Sequence, residues 1–497
     1  MPRRDQLLSG ARRDGAARTL GSRQLAVLLP QRHEGEASYR VLAEAISRLV
    51  LDGQIALHVR LPSERALAVA LGTSRTTVTS AYNRLRESGF ATSHQGSGTW
   101  SALPRGRTLG NLTRTVSSED AAIDLARAAP GLPEGVIDQA LGSVAPQLAA
   151  HARTTGYHPY GLPELRDAIA EEFTCRGLAT TADQVLVTAG AQHALSLVLG
   201  LLCSAGDRVL TETPSYPNAL EAMRRHRLRT VAVPVSDRGW DVDTIDATLR
   251  QTTPQLAYLI PDFHNPTGLL MPDEARARIL RTAQRTGTWL VVDETLAGLA
   301  LDVPPPAPFA VHACRASAGA AARVITVGSM SKTYWGGLRV GWLRAPSDLI
   351  DELASQRIAT DLGGSVLDQL LALHLLRRAA ELLPPRLEVL REQRAALHAA
   401  LTTHLPGWSW QLPPGGLSLW VDLGRPDACA IADRARLRGV RIESGTCFAT
   451  DPGVCETRLR IPFTLPPATL HYAVRRLADT VTDVPRAGPG RRPQWTV

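Results

Sequence analysis

The sequence is almost devoid of lysine. Its 497 residues include 55 basic side chains, and Lys332 is the single lysine among them, since all the others are arginine. A guanidinium stays charged, whereas an amine can lose its proton and attack a carbonyl group. This scarcity indicates that position 332 requires the chemistry of an amine, and it makes Lys332 the first candidate for a catalytic residue.

Cysteine pairs and long apolar runs are missing as well. The six cysteines include no C-x-x-C pair, which argues against a zinc site or a disulfide framework and suits a reducing compartment. No apolar run approaches the length that crosses a membrane, and no signal-peptide core follows the arginine-rich N-terminus. We therefore expect a soluble cytoplasmic protein without a metal site or a membrane partner. Its net charge of +8 favours an anionic partner.

Residues 37–101 are predicted to form a small helical module with a hairpin. The apolar spacing indicates a first helix that stops at Asp52, then two short helices capped by Ser63 and Ser74 and separated by Gly72. Two such helices joined by a glycine-containing turn form a helix-turn-helix. Alternating residues around the turn at Gly96 then predict a β-hairpin, which is the position of a wing.

This module resembles the winged helix-turn-helix of the GntR family. Three motifs carry the resemblance in the expected order: L-P-S-E-R at 61–65, S-R-T-T-V at 74–78 and Q-G-S-G-T at 95–99. The resemblance implies binding to double-stranded DNA, with the N-terminal turn of the second helix in the major groove. The residues expected to contact DNA are Arg65, Ser74, Arg75, Thr76, Thr77 and Gly96. For any single arginine of this arginine-rich chain, a solvated position is an equal alternative.

The rest of the chain divides by composition. Residues 1–36 are predicted to be a disordered basic tail, and residues 102–122, with their Gly, Pro and Ser, to be a linker. From residue 123 strands and helices alternate, which predicts a large, doubly wound α/β domain over 123–345. Residues 346–483 are predicted to form a smaller domain of helices and short strands, and residues 484–497 a second tail.

The predicted strands end in residues that suit a ligand site, which lies beyond the carboxyl ends of strands in such sheets. The turn at Gly190, Ala191 and Gln192 opens a helix, whose free N–H groups can bind a phosphate. The other candidate residues of this ligand site are Tyr216 at a turn, Asn265 in an N-P-T-G element, Asp293 at a strand end, and Lys332 in a loop between strands at 324–327 and 338–342.

The stretch from Ser329 to Gly341, S-x-S-K-x-x-x-x-G-x-R-x-G, resembles the pyridoxal phosphate attachment site of fold-type I, class I aminotransferases. The resemblance implies that Lys332 binds the cofactor as a Schiff base and that Asp293 keeps its pyridine nitrogen protonated. It also implies that Tyr216 stacks on the ring, that Asn265 bonds its phenolic oxygen, and that Ser329, Ser331 and Arg339 bind the phosphate.

Two further positions follow from the same resemblance. The stretch from Tyr157 to Arg166 contains a tyrosine that reaches the phosphate of a neighbouring subunit, and either Tyr157 or Tyr160 is the candidate. Arg460 is expected to hold the α-carboxylate of a substrate through a bidentate guanidinium, with Arg458 as the alternative.

A GntR-type winged helix joined to an aminotransferase-like domain is the architecture of the MocR family of transcription regulators. The resemblance implies a head-to-tail homodimer that binds two DNA half-sites and senses an amino compound or a B6 vitamer. An active aminotransferase with a DNA-binding appendage is the alternative, and a cofactor-free dimerisation module is a third. Two positions depart from the family pattern: Thr295 stands where a tyrosine is usual, and Asn218 where some relatives have arginine.

Overall fold

The computed structural model describes residues 19–29, 39–51, 55, 59–87, 90–94, 98–102, 123–314, 323–425, 427–451 and 453–482. The chain forms two units, Met1–Glu119 and Asp120–Val497. In the described ranges, no helix combines the length and the apolar character needed to cross a membrane.

The N-terminal unit contains the predicted winged helix-turn-helix. Its elements are α1 (Ser22–Leu28), α2 (Tyr39–Leu51), α3 (Glu64–Leu71), α4 (Arg75–Glu87), β1 (Ala91–His94) and β2 (Gly98–Ser101), with β1 and β2 antiparallel. Ser63 caps α3 by accepting a hydrogen bond from the Ala66 amide at 3.2 Å, and Gly72 ends it in the left-handed conformation. The wing turn with Gly96 lies outside the described residues.

Helix α1 corrects one prediction. Leu25 is fully buried in the same apolar core as Leu42 and Ile46 of α2, and the Leu20 amide donates to the Arg60 carbonyl at 2.9 Å. The prediction of a disordered tail over 1–36 is therefore wrong for residues 19–29, and the remainder of that range is not described. The apolar patch around Leu25 was too short for periodicity to identify it as a helix.

The C-terminal unit alternates strands and helices as predicted. Its first half comprises β3 (Ile123–Leu125), α5 (Val136–His151), α6 (Pro163–Cys175), β4 (Val185–Thr188), α7 (Ala191–Leu202), β5 (Arg208–Thr213), α8 (Pro217–Arg225), β6 (Arg229–Ser236), β7 (Gly239–Trp240), α9 (Val242–Thr252), β8 (Leu256–Leu259), α10 (Asp273–Thr286) and β9 (Trp289–Asp293). The second half comprises α11 (Val311–Cys314), β10 (Val324–Ser329), α12 (Met330–Thr333), β11 (Gly341–Arg344), α13 (Ser347–Arg357), α14 (Val366–Arg377), α15 (Ala379–His404), β12 (Ser409–Trp410), β13 (Ser418–Asp422), α16 (Ala428–Leu437), β14 (Val440–Ser444), β15 (Arg458–Pro462) and α17 (Pro467–Thr482).

The large sheet has the strand order β4-β11-β10-β9-β8-β5-β6-β7. Strands β10, β9, β8, β5 and β6 run parallel, whereas β11 and β7 are antiparallel to their neighbours. Apolar clusters lie on both faces, one formed mainly with α5, α6, α10 and α14 and the other with α7, α8 and α13. This is the fold-type I arrangement that the sequence predicted.

The boundary of the smaller domain differs from the prediction. Helices α13 and α14 pack into the two cores of the large sheet, although residues from 346 onward were assigned to the smaller domain. Strand β3 was assigned to the large domain but lies in the smaller sheet. It pairs in parallel with β14 in that sheet, whose strand order is β12-β13-β15-β14-β3. The first three residues assigned to the large domain therefore belong to the small sheet.

The local structure around Lys332 also differs from the prediction. It lies in the single helical turn α12 between β10 and β11, where a loop was predicted, and β11 begins at Gly341, three residues later than expected. The Ser329 hydroxyl caps this turn by accepting a hydrogen bond from the Ser331 amide at 3.1 Å. The cap explains why a helical turn can begin directly at the end of a strand.

Candidate functional site

A pocket opens at the carboxyl ends of the parallel strands of the large sheet. Asp293 ends β9, Ser329 ends β10, and Asn265 and Tyr216 lie in the segments that follow β8 and β5. The predicted residues that line it are Ala191, Gln192, Tyr216, Asn265, Asp293, Ser329, Ser331, Lys332 and Arg339. Residues distant in the sequence thus meet in one cavity because their strands end at the same edge.

The Lys332 amine lies inside this pocket. Its Nζ atom donates a hydrogen bond to the Ala128 carbonyl at 2.8 Å. Burial, together with the nearby Arg460 and Arg339, lowers the pKa of Lys332 to about 8, and Asp293 opposes the shift. An amine with this pKa is partly unprotonated near neutral pH, which is the form that attacks a carbonyl carbon.

Asp293 is buried and accepts two hydrogen bonds. The Tyr258 hydroxyl donates to its Oδ2 atom at 2.6 Å, and the Thr295 amide donates to its Oδ1 atom at 3.0 Å. Burial and the adjacent Asp293 carboxylate raise the pKa of Tyr258. Tyr258 was not predicted, although its place near the end of β8, beside β9, is a signal that strand order would have provided.

Two glycines allow the turn before α7 to approach the chain at Gly341, at the start of β11 and two residues after Arg339. Gly190 has a φ angle of +90°, and a Cβ atom on Gly341 would lie 2.7 Å from the Gly190 Cα atom. The Arg339 Nη2 atom donates to the Ala189 carbonyl at 2.8 Å. The free N–H groups at the start of α7 and this guanidinium therefore face one space, which suits a phosphate dianion.

Tyr216 borders the same pocket. The Asn218 Nδ2 atom donates to its hydroxyl oxygen at 2.8 Å, while burial and the Asp293 carboxylate raise its pKa. Asn218, one of the departures from the family pattern, thus acts on Tyr216 in this chain. The other departure, Thr295, lines the pocket beside Asp293.

Arg460 lies next to Asn265. Its Nη1 atom donates to the Asn265 Oδ1 atom at 3.4 Å, and its Nη2 atom donates to the Ala126 carbonyl. Burial lowers its pKa to about 10, and its Nε atom has no partner among the described residues. The alternative, Arg458, pairs instead with Asp237 at 2.7 Å and Asp422 at 3.2 Å.

The segment Ala126–Gly131, which we call the strap, follows β3 and contacts the site through its backbone. Besides the Ala126 and Ala128 carbonyls, its Gly131 carbonyl accepts a hydrogen bond from Arg386 Nη1 at 2.9 Å. Ala128 and Ala129 line the pocket. Residues that act through carbonyl groups leave no side-chain signal, so the sequence could not reveal the strap.

The two candidate tyrosines lie apart from this chain's own pocket. Tyr160 donates to Asp351 Oδ1 at 3.1 Å, whereas Tyr157 is 65% exposed. Neither of them lines the cavity.

In the N-terminal unit, the predicted DNA-contacting residues gather at the start of α4. Ser74, Arg75 and Thr76 are exposed, and the Ser74 hydroxyl accepts a hydrogen bond from the Thr77 amide at 3.0 Å. The Ser74 oxygen also lies 2.7 Å from the hydroxyl oxygens of Thr76 and Thr77. Arg65 is exposed on α3. An exposed helix N-terminus with short polar side chains suits entry into the major groove.

Fold and pocket together define a fold-type I, pyridoxal phosphate-dependent protein. The donor set fits that cofactor: an amine of lowered pKa for the aldehyde, a buried carboxylate for the pyridine nitrogen, and a cradle at Gly190 that a side chain would fill for the phosphate.

Comparison with known proteins agrees for both units. Residues 124–477 match the family described as aminotransferase class I and II, and residues 38–100 match bacterial regulatory proteins of the gntR family. The chain is 27% identical to the uncharacterised HTH-type transcriptional regulator YisV of Bacillus subtilis, over 79% of this chain and 85% of the relative. It is 33% identical to 2-aminoadipate transaminase of Thermus thermophilus, over 66% of this chain and 80% of the relative.

Comparison with solved structures also identifies an aminotransferase fold. The α-aminoadipate aminotransferase LysN of Thermus thermophilus, in complex with N-(5'-phosphopyridoxyl)-L-leucine, aligns with a TM-score of 0.68 at 28% identity. The alignment covers 76% of this chain and 95% of LysN. The chain therefore belongs to the aminotransferase class I and II family and, with a gntR-type domain ahead of that fold, to the MocR group within it.

Proposed function

We propose that this protein is a transcription regulator that binds DNA through its winged helix and senses an amino compound, or a B6 vitamer, at Lys332. The observation that carries the proposal is a buried amine of lowered pKa in a pocket that suits the cofactor, on the same chain as a gntR-type domain. The HTH-type regulators of similar sequence, YisV and YdfD of Bacillus subtilis, support it.

Each pocket residue has a role in this proposal. When bound, pyridoxal phosphate supplies an aldehyde that captures amines and a ring that withdraws electrons. Lys332 would attach it, Asp293 would hold the proton on the pyridine nitrogen, and Asn265 would hydrogen-bond the phenolic oxygen. Tyr216 would contact the ring. The phosphate would be bound by Gly190, Ala191, Gln192, Ser329, Ser331 and Arg339, with a tyrosine of the partner protomer completing the site.

Arg460 holds the carboxylate of an amino ligand. In the described structure its Nη2 atom donates to the Ala126 carbonyl, so a carboxylate that takes both terminal nitrogens competes with the strap for the N–H groups of Nη2. Attachment of the cofactor to Lys332 likewise replaces its hydrogen bond to the Ala128 carbonyl. Both events therefore act on the same segment.

The position of the strap in the chain makes it a means of coupling. It follows β3, the first described element after residue 102, so only this short strand separates it from the proposed linker to the DNA-binding unit. A ligand that binds one strap position better than the other shifts their populations. A coupling of about 1 to 3 kcal/mol between the pocket and DNA would be typical.

Operator titrations test this function. Binding of the full-length protein to its own upstream DNA is measured with and without pyridoxal phosphate and a panel of amines. Operator affinity should change with cofactor, with amine, or with both, and Lys332→Ala should remove the amine response. Lys332→Arg is the matched control, because it keeps a cation near Ala128 but cannot capture a carbonyl group. Identical operator curves under all conditions would contradict the sensing function.

DNA binding is tested separately. A dimer presents two recognition helices, so we propose two half-sites, and we propose that the two chains are arranged head to tail. Footprinting of the wild type should show two protected segments. Arg75→Ala should lose discrimination between operator and random duplex; equal discrimination by both proteins would remove Arg75 from base recognition.

An active aminotransferase is the second candidate. It is favoured by the pocket, which has Asn265, Asp293, Lys332 and Arg460 in place, and by the similarity to 2-aminoadipate transaminase. Steady-state formation of keto acid from common amino donors would support it. The two candidates differ in whether the bound amino compound turns over or acts as a signal.

A further inference from the structure

The described residues of this chain that line the pocket and are not assigned to the cofactor carry no charge, and this limits the ligand. Among the described lining residues, the charged ones are Asp293, Lys332 and Arg339, which the proposed function assigns to the cofactor. The remaining wall is formed mainly by Ala129, Phe263, Leu296 and Leu417, with Ser418 as a polar member. A ligand whose amine lies at Lys332 and whose carboxylate lies at Arg460 has this wall left for its side chain.

Charged groups near the wall are engaged elsewhere. Arg127 of the strap pairs with Asp124 at 3.4 Å and does not line the pocket. Glu294, next to Thr295, accepts a hydrogen bond from the Phe309 amide at 2.7 Å and lies 3.3 Å from Arg176. The described chain therefore directs no free charge towards the side chain of a ligand.

Phe263 is held in this wall by a strained backbone. Its φ angle is +47°, a region that bulky residues rarely adopt, and its side chain is 1% exposed. A Cβ atom on Gly415 would lie 2.4 Å from the Phe263 ring, so the absence of a side chain there makes room for it. Strain of this kind persists where the surroundings enforce it, and here it holds Phe263 among the residues that line the pocket.

From these observations we infer that the amino ligand is an α-amino acid with an uncharged, mainly apolar side chain. The inference rests on the proposed sensing function and names its ligand class. A charged side chain entering this wall would lose water without gaining a partner, which disfavours its binding. An apolar side chain of similar length gains contact with Phe263, Leu296 and Leu417.

Matched amino acids test this on the cofactor-loaded, full-length protein. Binding is followed by the change in the visible absorption of the cofactor on titration with L-norleucine against L-lysine, and with L-methionine against L-glutamate. The apolar member of each pair should bind about tenfold tighter or more. Binding of lysine or glutamate within about twofold of its counterpart would overturn the ligand class while leaving the sensing function intact. No spectral response to any of the four would overturn the ligand class, whereas the sensing function is decided by the operator titrations.

A variant of the wall adds a test of position. Leu296→Arg places a cation beside the ligand side chain and should move the preference from methionine towards glutamate by about tenfold, whereas Leu296→Met should keep the wild-type order. An unchanged preference in Leu296→Arg that still binds the cofactor would overturn the assignment of the wall. If that variant does not fold, the wild-type panel decides the question.

Discussion

At the scale of single residues, Lys332 shows how the surroundings prepare a side chain for chemistry. Burial and two guanidinium groups lower its pKa to about 8, although Asp293 opposes them. At pH 7 a pKa of 8 leaves about a tenth of the amines unprotonated, against less than a thousandth at the ordinary value. The reactivity of the only lysine in the chain therefore depends first on its burial and then on its arginine neighbours.

We predict that acetylation of Lys332 in the cofactor-free protein rises with a midpoint near pH 8. Because Arg460 contributes to lowering the pKa, Arg460→Gln should move the midpoint upward. The measurement is the pH dependence of the acetylation rate, followed by mass mapping of the peptide that contains residue 332. With no other lysine in the sequence, the α-amino group is the sole competing amine. A midpoint above pH 10 in the wild type would contradict the prediction.

Tyr258 supports Asp293 from the adjacent strand. We predict that Tyr258→Phe lowers the free energy of unfolding by about 1 to 3 kcal/mol, because the buried Oδ2 atom of Asp293 loses its donor. Denaturant unfolding without cofactor measures the change. Tyr472→Phe, at a tyrosine that is 48% exposed, is the control and should stay within about 0.5 kcal/mol of the wild type. Equal losses in both variants would mean that the Asp293 hydrogen bond contributes no more than a surface contact.

At the scale of elements, the DNA-binding unit depends on a helix that precedes the matched gntR region, residues 38–100. Helix α1 contributes Leu25 to the core that also holds α2, α3 and α4. A seven-residue helix has little stability alone, so the packing of Leu25 must hold it in place. In turn, α1 fills part of the apolar core of the helix-turn-helix.

We predict that Leu25→Ala destabilises the N-terminal unit by about 2 to 5 kcal/mol. Hydrogen exchange of the α3 and α4 amides in the full-length protein reports the change locally. Val27→Ala is the matched control, since Val27 lies on the same helix and is 84% exposed. If both variants exchange like the wild type, α1 is not part of the core that supports the recognition helix.

The elements that could be predicted from the sequence are those encoded by residues close together in the chain. The characteristic residues of the Lys332 motif and of the winged helix are of this kind, so both could be predicted from contiguous residues. Strand β3 is three residues long and finds its partner β14 more than 300 positions away, which no local pattern encodes. The strap acts through carbonyl groups, and Tyr258 acts through a neighbouring strand, so both required the tertiary structure.

At the scale of the whole molecule, neither candidate tyrosine is among the described residues that line the pocket of its own chain. The phosphate cradle at Gly190 and Arg339 receives no tyrosine from its own chain among the two candidates. Tyr160 is already bonded to Asp351, whereas Tyr157 is exposed. These contacts favour Tyr157 as the residue that reaches the partner's phosphate, a choice that the sequence left open.

We therefore predict that Tyr157→Ala weakens pyridoxal phosphate binding by about 10- to 100-fold, the effect of losing one hydrogen bond to a charged group, and that Tyr160→Phe does not. Mixed dimers decide whether the site is shared. Neither Lys332→Ala nor Tyr157→Ala homodimers should hold the cofactor tightly. A dimer with one chain of each kind contains one site with an intact Lys332 and an intact Tyr157 from the opposite chain, so it should bind one cofactor at wild-type affinity, measured by absorption. If mixing restores no binding, Tyr157 serves its own chain, and a shared site is contradicted.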